Sequence, residues 1–320
     1  MENQKVSFTS ADTFPYKIFL DEDTLNSIKN KRILPIHIQL NPTNKCNQSC
    51  SFCSCSLRDK NAEIPLKMLL DIIERMYHLG TKAATITGAG EPTCYTYLDK
   101  AIDFLSQKGI KIGLVTNGIE LPKIRQSLAH LTWCRISLSD EQRATDNFLH
   151  SLLSLKKEFP FLDWSFSYVV TRKFDPDNLK KIIELALQND YAHLRIVSNL
   201  VDLASIPDIE SFLSAFAEYN GRIIYQKRKA YSHGRNPCYI SLLKPNIGPD
   251  GNIYPCCGVQ YALPKATLDF PSSMSMGKDI EDLYAKQRYF NGQICQRCYY
   301  DQYNSIIALL FADLKHKEFI

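Results

Sequence analysis

The sequence lacks the long apolar run that a membrane-spanning helix requires. No stretch within its 320 residues approaches the roughly 18 consecutive apolar residues of such a helix. The opening segment, MENQKVSFTS, also lacks the basic and apolar regions of a secretory signal peptide. These two absences predict a cytoplasmic protein with no membrane partner.

A strong excess of one charge is also missing. The chain has 38 Lys and Arg against 34 Asp and Glu, which is a formal net charge of +4. Nucleic-acid-binding domains usually carry a strong basic excess on one face, so this composition gives no strong nucleic-acid signal. With 22% charged and 45% hydrophobic residues, the chain is predicted to be globular, and disordered, collagen-like and coiled-coil classes are excluded.

Cysteine, by contrast, is abundant, with eleven residues. Thiols stay reduced in the cytosol, so clustered cysteines there indicate metal or redox sites rather than disulfides. Cys46, Cys50 and Cys53 form C-x3-C-x2-C, a triple expected by chance only about 0.01 times per chain. A lone C-x2-C, such as Cys295 and Cys298, is expected about 0.4 times, so that pair indicates a site only together with further ligands.

Apolar strand-like runs alternate with amphipathic helical patterns after residue 34, which is typical of βα units and a parallel sheet. The six predicted strands are 36–40, 83–87, 111–115, 133–138, 165–170 and 194–197. The helical segments that follow them are 65–79, 97–107, 122–129, 144–157, 176–187 and 208–219. The sequence therefore predicts an α/β fold, whose sheet is either open or closes toward a barrel.

Changes in this rhythm predict three regions. Residues 1–33 are an N-terminal extension with one polar helix over 21–30, and residues 34–225 are the main domain. Residues 226–320 are turn-rich and form a smaller cysteine-rich module, which ends in a predicted helix over 305–314. Within the module, PDGNIYP predicts a hairpin in which Asp250-Gly251 supplies the positive φ.

The cysteine triple follows the first predicted strand directly. It therefore lies at the carboxyl end of the strand, where ligands bind in α/β folds. Structural zinc normally takes four ligands in two separated pairs, but a fourth ligand is missing here and Cys55 is poorly placed to provide it. Three cysteines can instead hold a [4Fe–4S] cluster with one iron open to an external ligand, and this cluster is the favoured interpretation.

The triple, with Phe52 just before its last cysteine, resembles the signature of the radical S-adenosylmethionine (radical SAM) superfamily. Residues 87–92, TGAGEP, resemble the Gly-Gly-Glu segment of that family, with Ala89 replacing the usual first glycine. Residues 115–118, VTNG, and 136–140, ISLSD, also follow in the family's order. The resemblance covers about residues 34–225 and implies a partial (β/α)6 TIM-type barrel.

The resemblance also implies how the cofactor is held. The methionyl amine and carboxylate of S-adenosylmethionine chelate the open iron, Glu91 and nearby carbonyls hold the amine, and Phe52 lies by the adenine. Ser137 and Arg143 are candidates for the ribose and carboxylate, although a strand serine can simply satisfy backbone groups and an arginine at a helix start is usually solvated. The predicted cofactor contacts are Phe52, Gly88, Ala89, Gly90, Glu91, Asn117, Ser137 and Arg143.

A second resemblance concerns the cysteine-rich module. Cys238, twelve residues, Gly251, four residues and Cys256, followed later by Cys295-x2-Cys298, are similar to the twitch module, the short form of the SPASM domain. This implies a second, auxiliary [4Fe–4S] cluster with these four cysteines as ligands, while a structural zinc site stays an alternative. Four cysteines have no assigned role: Cys55, Cys94, Cys134 and Cys257.

The leading hypothesis is therefore a radical SAM enzyme. The resemblance implies reductive cleavage of S-adenosylmethionine, with an electron from a flavodoxin or ferredoxin, to a 5′-deoxyadenosyl radical that abstracts hydrogen from an unactivated C–H bond. The substrate is a peptide, a sugar-like metabolite or a nucleobase, possibly one in modified DNA, and the outcome can be that of an oxidoreductase, isomerase or lyase. The alternative is a non-catalytic iron–sulfur or zinc-binding scaffold.

One further feature bears on the substrate. The basic run over 227–229, with His233 and Arg235, suits either an anionic substrate or a solvated edge.

Overall fold

A single sheet of nine strands organises the described part of the chain. The structure is a computed structural model that describes residues 14–139, 141, 145–219, 221–228, 230–263 and 272–312. The strands are β1 His37–Leu40, β2 Ala83–Ile86, β3 Lys111–Thr116, β4 Trp133–Ser139, β5 Asp163–Val170, β6 His193–Ser198, β7 Ile223–Gln226, β8 Asn246–Ile247 and β9 Ile253–Tyr254. Their order in the sheet is β7-β6-β5-β4-β3-β2-β1-β8-β9.

Strands β1 to β7 are parallel and lie in the order of the sequence. A sheet that winds in one direction corresponds to a barrel, whereas a doubly wound sheet reverses its strand order. The prediction of an α/β fold with a parallel sheet is confirmed, and all six predicted strands are present. The seventh, β7, was not predicted: it is four residues long and only half-buried, so no buried apolar run marks it.

Helices cover the connections between these strands. The α-helices are α1 Phe14–Leu20, α2 Glu22–Lys29, α3 Leu66–His78, α4 Leu98–Gln107, α5 Asp146–Glu158, α6 Pro176–Gln188, α7 Glu210–Ser214, α8 Ile240–Leu243, α9 Ile280–Ala285 and α10 Asp301–Phe311. The 3-10 helices are Pro92–Cys94, Leu121–His130, Leu203–Ser205, Ala217–Tyr219, Cys257–Tyr261, Ser272–Met274 and Gly292–Ile294. No helix among the described residues is long and apolar enough to cross a membrane.

Two predicted helices differ from the structure. The segment predicted over 122–129 is a 3-10 helix with non-helical backbone angles at Ile124. The segment predicted over 208–219 is broken into α7 and the 3-10 turn Ala217–Tyr219. By contrast, α6 begins at Pro176 as predicted, and the Asp175 side chain caps it. A proline is tolerated in the first turn because the N–H that it lacks would have no partner within the helix.

The cysteine-rich region continues the main sheet. The predicted hairpin is confirmed: β8 and β9 pair antiparallel, and Gly251 has a φ of 75°. Strand β8 also pairs in parallel with β1, with Gln39 opposite Asn246. The strand that leads into the cysteine triple therefore lies between β2 and β8, so the C-terminal region flanks the triple.

Strand β3 contacts its neighbour too closely for a larger residue at one position. Gly113 lies opposite Trp133, and an added Cβ would be 2.0 Å from Cζ2 of the Trp133 ring. We expect Gly113→Ala to lower the free energy of unfolding by about 1–3 kcal/mol through overpacking, measured by urea denaturation. Trp133→Leu in the same chain should recover most of that loss. Equal stability of Gly113→Ala and the wild type would contradict this contact.

Candidate active site

The inner face of the sheet and the loops at its carboxyl edge enclose one cavity of about 650 Å³. Trp133, Arg135 and Ser137 of β4 all line it, as expected because alternate residues of a strand point to the same face. The predicted site residues that line it are Cys46, Cys50, Phe52, Cys53, Gly88, Ala89, Gly90, Glu91, Asn117 and Ser137. Arg143 lies outside the described residues.

The cysteine loop is held against the loop after β2 by backbone contacts. The Gly90 N–H donates to the Thr43 carbonyl at 3.2 Å, and the Glu91 N–H donates to the Lys45 carbonyl at 2.8 Å. A Cβ added at Gly90 would be 2.2 Å from that Lys45 oxygen. Only glycine permits this close approach, so Gly90 sets the position of the segment that leads into Cys46.

The Glu91 carboxylate joins two parts of the site. It is 4% exposed, and Oε1 accepts from the Thr93 N–H at 3.1 Å, the Thr93 hydroxyl at 2.7 Å and the Thr116 hydroxyl at 2.5 Å. Oε2 accepts from the Asn117 N–H at 2.8 Å. Burial raises the pKa of this carboxyl, and the donors oppose that shift. The carboxylate thus ties the end of β3 to the loop after β2, while its predicted contact with the amine stays a prediction.

Asn117 makes the next link in this network. Its Nδ2 donates to Oδ1 of Asn47 at 2.7 Å, and Asn47 lies between the first two cysteines of the triple. At the other end of the loop, the Ser51 N–H and hydroxyl both donate to the Glu141 carboxylate. The loop is therefore attached to the ends of three strands or their connections.

The sequence analysis did not identify Arg58, a buried cation behind the triple. Its Nε donates to the Asn44 carbonyl at 2.7 Å, and Nη1 donates to the Cys55 carbonyl at 2.7 Å and to Sγ of Cys53 at 3.4 Å. Burial raises the pKa of the Cys46 thiol, whereas a Gln48 N–H and Arg58 lower it. A guanidinium beside thiols favours the thiolate form that binds metal.

The donor chemistry of the triple fits an iron–sulfur cluster, because its cysteine side chains are the ligands such clusters use. Among the residues that the structure describes, no three His, Cys, Asp or Glu side chains are arranged to hold a single metal ion. A cubane cluster does not need that arrangement, because each thiolate binds a different iron.

The cysteines of the C-terminal region surround a second, smaller cavity of about 20 Å³. The four predicted ligands all line it: Cys238, Cys256, Cys295 and Cys298. Burial, then repulsion from Cys298, raises the pKa of the Cys238 and Cys295 thiols to about 12. Nδ2 of Asn304 donates to Sγ of Cys238 at 3.7 Å. The structure therefore brings together the four thiols that the sequence pattern groups.

Two tyrosines separate the cavities. Tyr299 and Tyr300 line both of them, and Sγ of Cys257, on the side of the larger cavity, lies 3.7 Å from the Tyr300 hydroxyl. The neighbouring Cys256 lines the smaller cavity. Adjacent cysteines thus face different sites, which sequence spacing alone does not reveal.

The basic run differs in its environment from one residue to the next. Lys227 pairs with Asp208 and Glu210, and Arg235 pairs with Asp301. Arg228 lines the larger cavity, and residue 229 lies outside the described part of the chain. Five other cations that the sequence did not indicate also line this cavity: Arg58, Lys60, Arg135, Arg195 and Lys244.

The fold and the site define an α/β barrel-type protein. Its site lies on the inner face of the sheet and at the carboxyl ends of the strands. Residues 40–142 match the family model described as the Radical SAM superfamily. GTP 3′,8-cyclase of Alkaliphilus oremlandii (strain OhILAs) is 28% identical over 118 residues, which span 35% of this chain and 37% of that enzyme. The match therefore spans little more than a third of that relative's length.

Solved structures share the fold over most of the chain. Streptococcus suis SuiB bound to S-adenosylmethionine has a TM-score of 0.59 at 16% identity, covering 88% of this chain and 75% of SuiB. SuiB bound to the precursor peptide SuiA has a TM-score of 0.61 at 14% identity, covering 98% and 81%. Native anSMEcpe with bound AdoMet and a Cp18Cys peptide has a TM-score of 0.54 at 16% identity, covering 89% and 85%.

The match to the radical SAM superfamily model thus covers residues 40–142, less than half of the chain. The superfamily and these relatives are enzymes, and this chain is an enzyme. Membership of the domain in that superfamily implies a [4Fe–4S] cluster and S-adenosylmethionine.

Replacement of Gly90 tests the contact that positions the cysteine loop. We expect Gly90→Ala to displace the Lys45 carbonyl, to lower the free energy of unfolding by about 1–3 kcal/mol and to reduce the iron bound after anaerobic reconstitution. The matched control is Gly80→Ala, at a positive φ but with nothing within 4 Å of the added Cβ, which should leave iron content unchanged. Wild-type iron content in Gly90→Ala would show that the close approach is not needed.

Proposed function

We propose that this enzyme cleaves S-adenosylmethionine reductively at a [4Fe–4S] cluster held by Cys46, Cys50 and Cys53. The bound cluster and cofactor supply a 5′-deoxyadenosyl radical, which abstracts hydrogen from an unactivated C–H bond of the substrate. The observation that carries this proposal is the single cavity in which the three thiols meet the glycine-containing loop after β2. Its volume of about 650 Å³ lies within the range of cofactor and ligand sites.

The described residues suit distinct parts of the cofactor. Phe52 is half-buried on the cavity wall and offers an aromatic face to the adenine. The backbone between Gly88 and Gly90 lines the cavity and offers peptide groups to the methionyl amine. Ser137 lines the same wall from β4 and suits a ribose hydroxyl. Asn117 and Glu91 hold these loops together through their hydrogen bonds.

We further propose an auxiliary [4Fe–4S] cluster in residues 226–320, a twitch-like module, with Cys238, Cys256, Cys295 and Cys298 as ligands. Burial, and then repulsion from neighbouring thiols, raises the pKa of Cys238, Cys256 and Cys295. Bound iron would relieve that repulsion, because metal ligation stabilises thiolates. A flavodoxin or ferredoxin is proposed as the electron donor, because cleavage needs an electron from the reducing end of the cluster range of about −700 to +450 mV.

Three classes of substrate are proposed for this chain. The names of the relatives include a precursor peptide for SuiB and GTP for the cyclase, and for this chain a peptide, a sugar-like metabolite and a nucleobase stay open. A cytoplasmic location is proposed on the sequence features given above. The reaction after hydrogen abstraction is that of an oxidoreductase, isomerase or lyase.

Removal of one thiol of the triple tests the cleavage site. We expect Cys50→Ala to lose about four of about eight irons per chain and to form no 5′-deoxyadenosine with S-adenosylmethionine and dithionite. Cys134→Ala is the matched control, because Cys134 is buried on β4 and lines neither cavity, and it should retain both properties. Undiminished 5′-deoxyadenosine formation by Cys50→Ala would refute the proposed cleavage site.

Removal of one C-terminal thiol tests the auxiliary cluster separately. We expect Cys298→Ala to bind about four irons per chain and still to form 5′-deoxyadenosine in the absence of substrate. The same Cys134→Ala chain serves as the control. A full complement of about eight irons in Cys298→Ala, or bound zinc in the wild type, would exclude the auxiliary cluster.

A further inference from the structure

Positive charge is concentrated inside the larger cavity, and the fold brings it there from four separate elements. Arg135 belongs to β4, Arg195 to β6, Lys244 follows α8 and Arg228 follows β7. Arg135 and Lys244 are only 5% and 6% exposed. Long cationic side chains are rarely buried unless an anion accompanies them, so the anion that accompanies Lys244 has to be identified.

The described protein provides little negative charge for them. Glu91 is a carboxylate on the cavity wall, but its oxygens accept from Thr93, Thr116 and Asn117. In the described part of the chain, no carboxylate lies within ion-pair distance of Arg195 or Lys244. Arg195 donates to the Ser167 hydroxyl at 3.1 Å, and its buried Nε has no hydrogen-bond partner there.

A histidine and the cation Arg195 lie beside Arg135. The Nη2 atom of Arg135 lies 3.4 Å from Nε2 of His193. Burial, then the charges of Arg135 and Arg195, lowers the pKa of His193 to about 3, so this ring is neutral. Burial also lowers the pKa of Lys244; the Cys257 thiol opposes this shift, and Arg135 adds to it. The cations therefore repel one another in a poorly solvated place, an arrangement that an anion would stabilise.

The carboxylate of S-adenosylmethionine does not account for all of this charge. It is one anion, and in the proposed function it chelates iron at the loop after β1. Arg135 precedes Ser137, a proposed cofactor contact, by two residues on the same face of β4. It therefore lies about 7 Å deeper in the sheet. Lys244 lies beside β1, on the flank that β8 occupies.

We propose that Arg135, Arg195 and Lys244 form a binding site for the phosphate group of a small-molecule substrate. A phosphate monoester carries about −1.5 to −2 charges at pH 7, which matches several cations better than a single carboxylate does. Guanidinium groups bind phosphate oxygens through parallel N–H donors, and a lysine adds a point charge. The inference rests on the proposed function, because it names the substrate class of the same cavity.

The first measurement is calorimetric titration of the reconstituted full chain with inorganic phosphate at low ionic strength, with succinate as the carboxylate probe. We expect phosphate to bind, and to bind at least about tenfold more weakly to Arg195→Gln and to Lys244→Gln. Lys67→Gln is the matched control, because Lys67 is exposed on α3 and lines neither cavity, and it should bind phosphate as the wild type does.

Thermal unfolding distinguishes a phosphate-binding role of these cations from a purely structural role. Because the cations repel one another, Arg195→Gln and Lys244→Gln should each raise the melting temperature of the phosphate-free chain by about 1–3 °C. Added phosphate should raise the melting temperature of the wild type but not that of these two variants. A lowered melting temperature together with unchanged phosphate affinity would make the cations structural and overturn the proposal.

The cleavage assay keeps the two proposals distinguishable. Substrate-free formation of 5′-deoxyadenosine should persist in Arg195→Gln and Lys244→Gln. If these variants lost 5′-deoxyadenosine formation but still bound phosphate, the cations would belong to the S-adenosylmethionine site and the inference would be overturned. The inference would also be overturned if the wild type bound succinate more tightly than phosphate, or did not bind phosphate. Phosphate binding by a wild-type chain that forms no 5′-deoxyadenosine would instead refute the proposed function and leave the anion site standing.

Discussion

The candidate site depends on one buried carboxylate and the close backbone contact beside it. Glu91 accepts hydrogen bonds from the loop after β2 and from the end of β3, while its own N–H holds the Lys45 carbonyl. Hydrogen bonds to a charged group in a buried place are stronger than those between neutral groups. The position of the three thiols thus depends on a network in which a single acid links segments that are far apart in sequence.

The position of the three thiols also depends on the C-terminal region, through the pairing of strands in the sheet. Strand β1 is paired on both sides, with β2 and with β8, so the loop after it emerges from an interior strand that cannot shift without breaking two ladders. Side-chain contacts reinforce the join: Gln287 both donates to and accepts from the backbone of Ile33, and Arg75 pairs with Glu281. The C-terminal region therefore adds strands β8 and β9 to the same sheet.

Much of this could be predicted from the sequence, for identifiable reasons. The six strands are rich in apolar residues and alternate with helical patterns, and Cys46, Cys50 and Cys53 have a spacing that chance rarely produces. The role of Glu91 as a link could not be predicted, because its donors Thr93 and Thr116 carry no distinctive pattern. Arg58 was missed for a related reason: an arginine in a polar loop is usually solvated, and only the folded chain shows its guanidinium beside Cys53.

The interior cations illustrate the same limit. Arg135 and Arg195 lie on β4 and β6 and face the cavity, and Lys244 comes from the C-terminal region. Their encounter depends on the parallel register of β4, β5 and β6 and on the pairing of β8 with β1. Sequence patterns describe elements one at a time, so a cluster whose members come from three of them becomes visible only in the folded chain.

The wall that Tyr299 and Tyr300 form has a consequence for how substitutions combine. Both rings line both cavities, and they are packed against each other edge to face, with ring centroids 4.9 Å apart. Arg228 lies over the Tyr299 ring at 4.0 Å. Because both rings border both cavities, a substitution on either side acts on the same two side chains, and the energetic effects of substitutions on the two sides should not add.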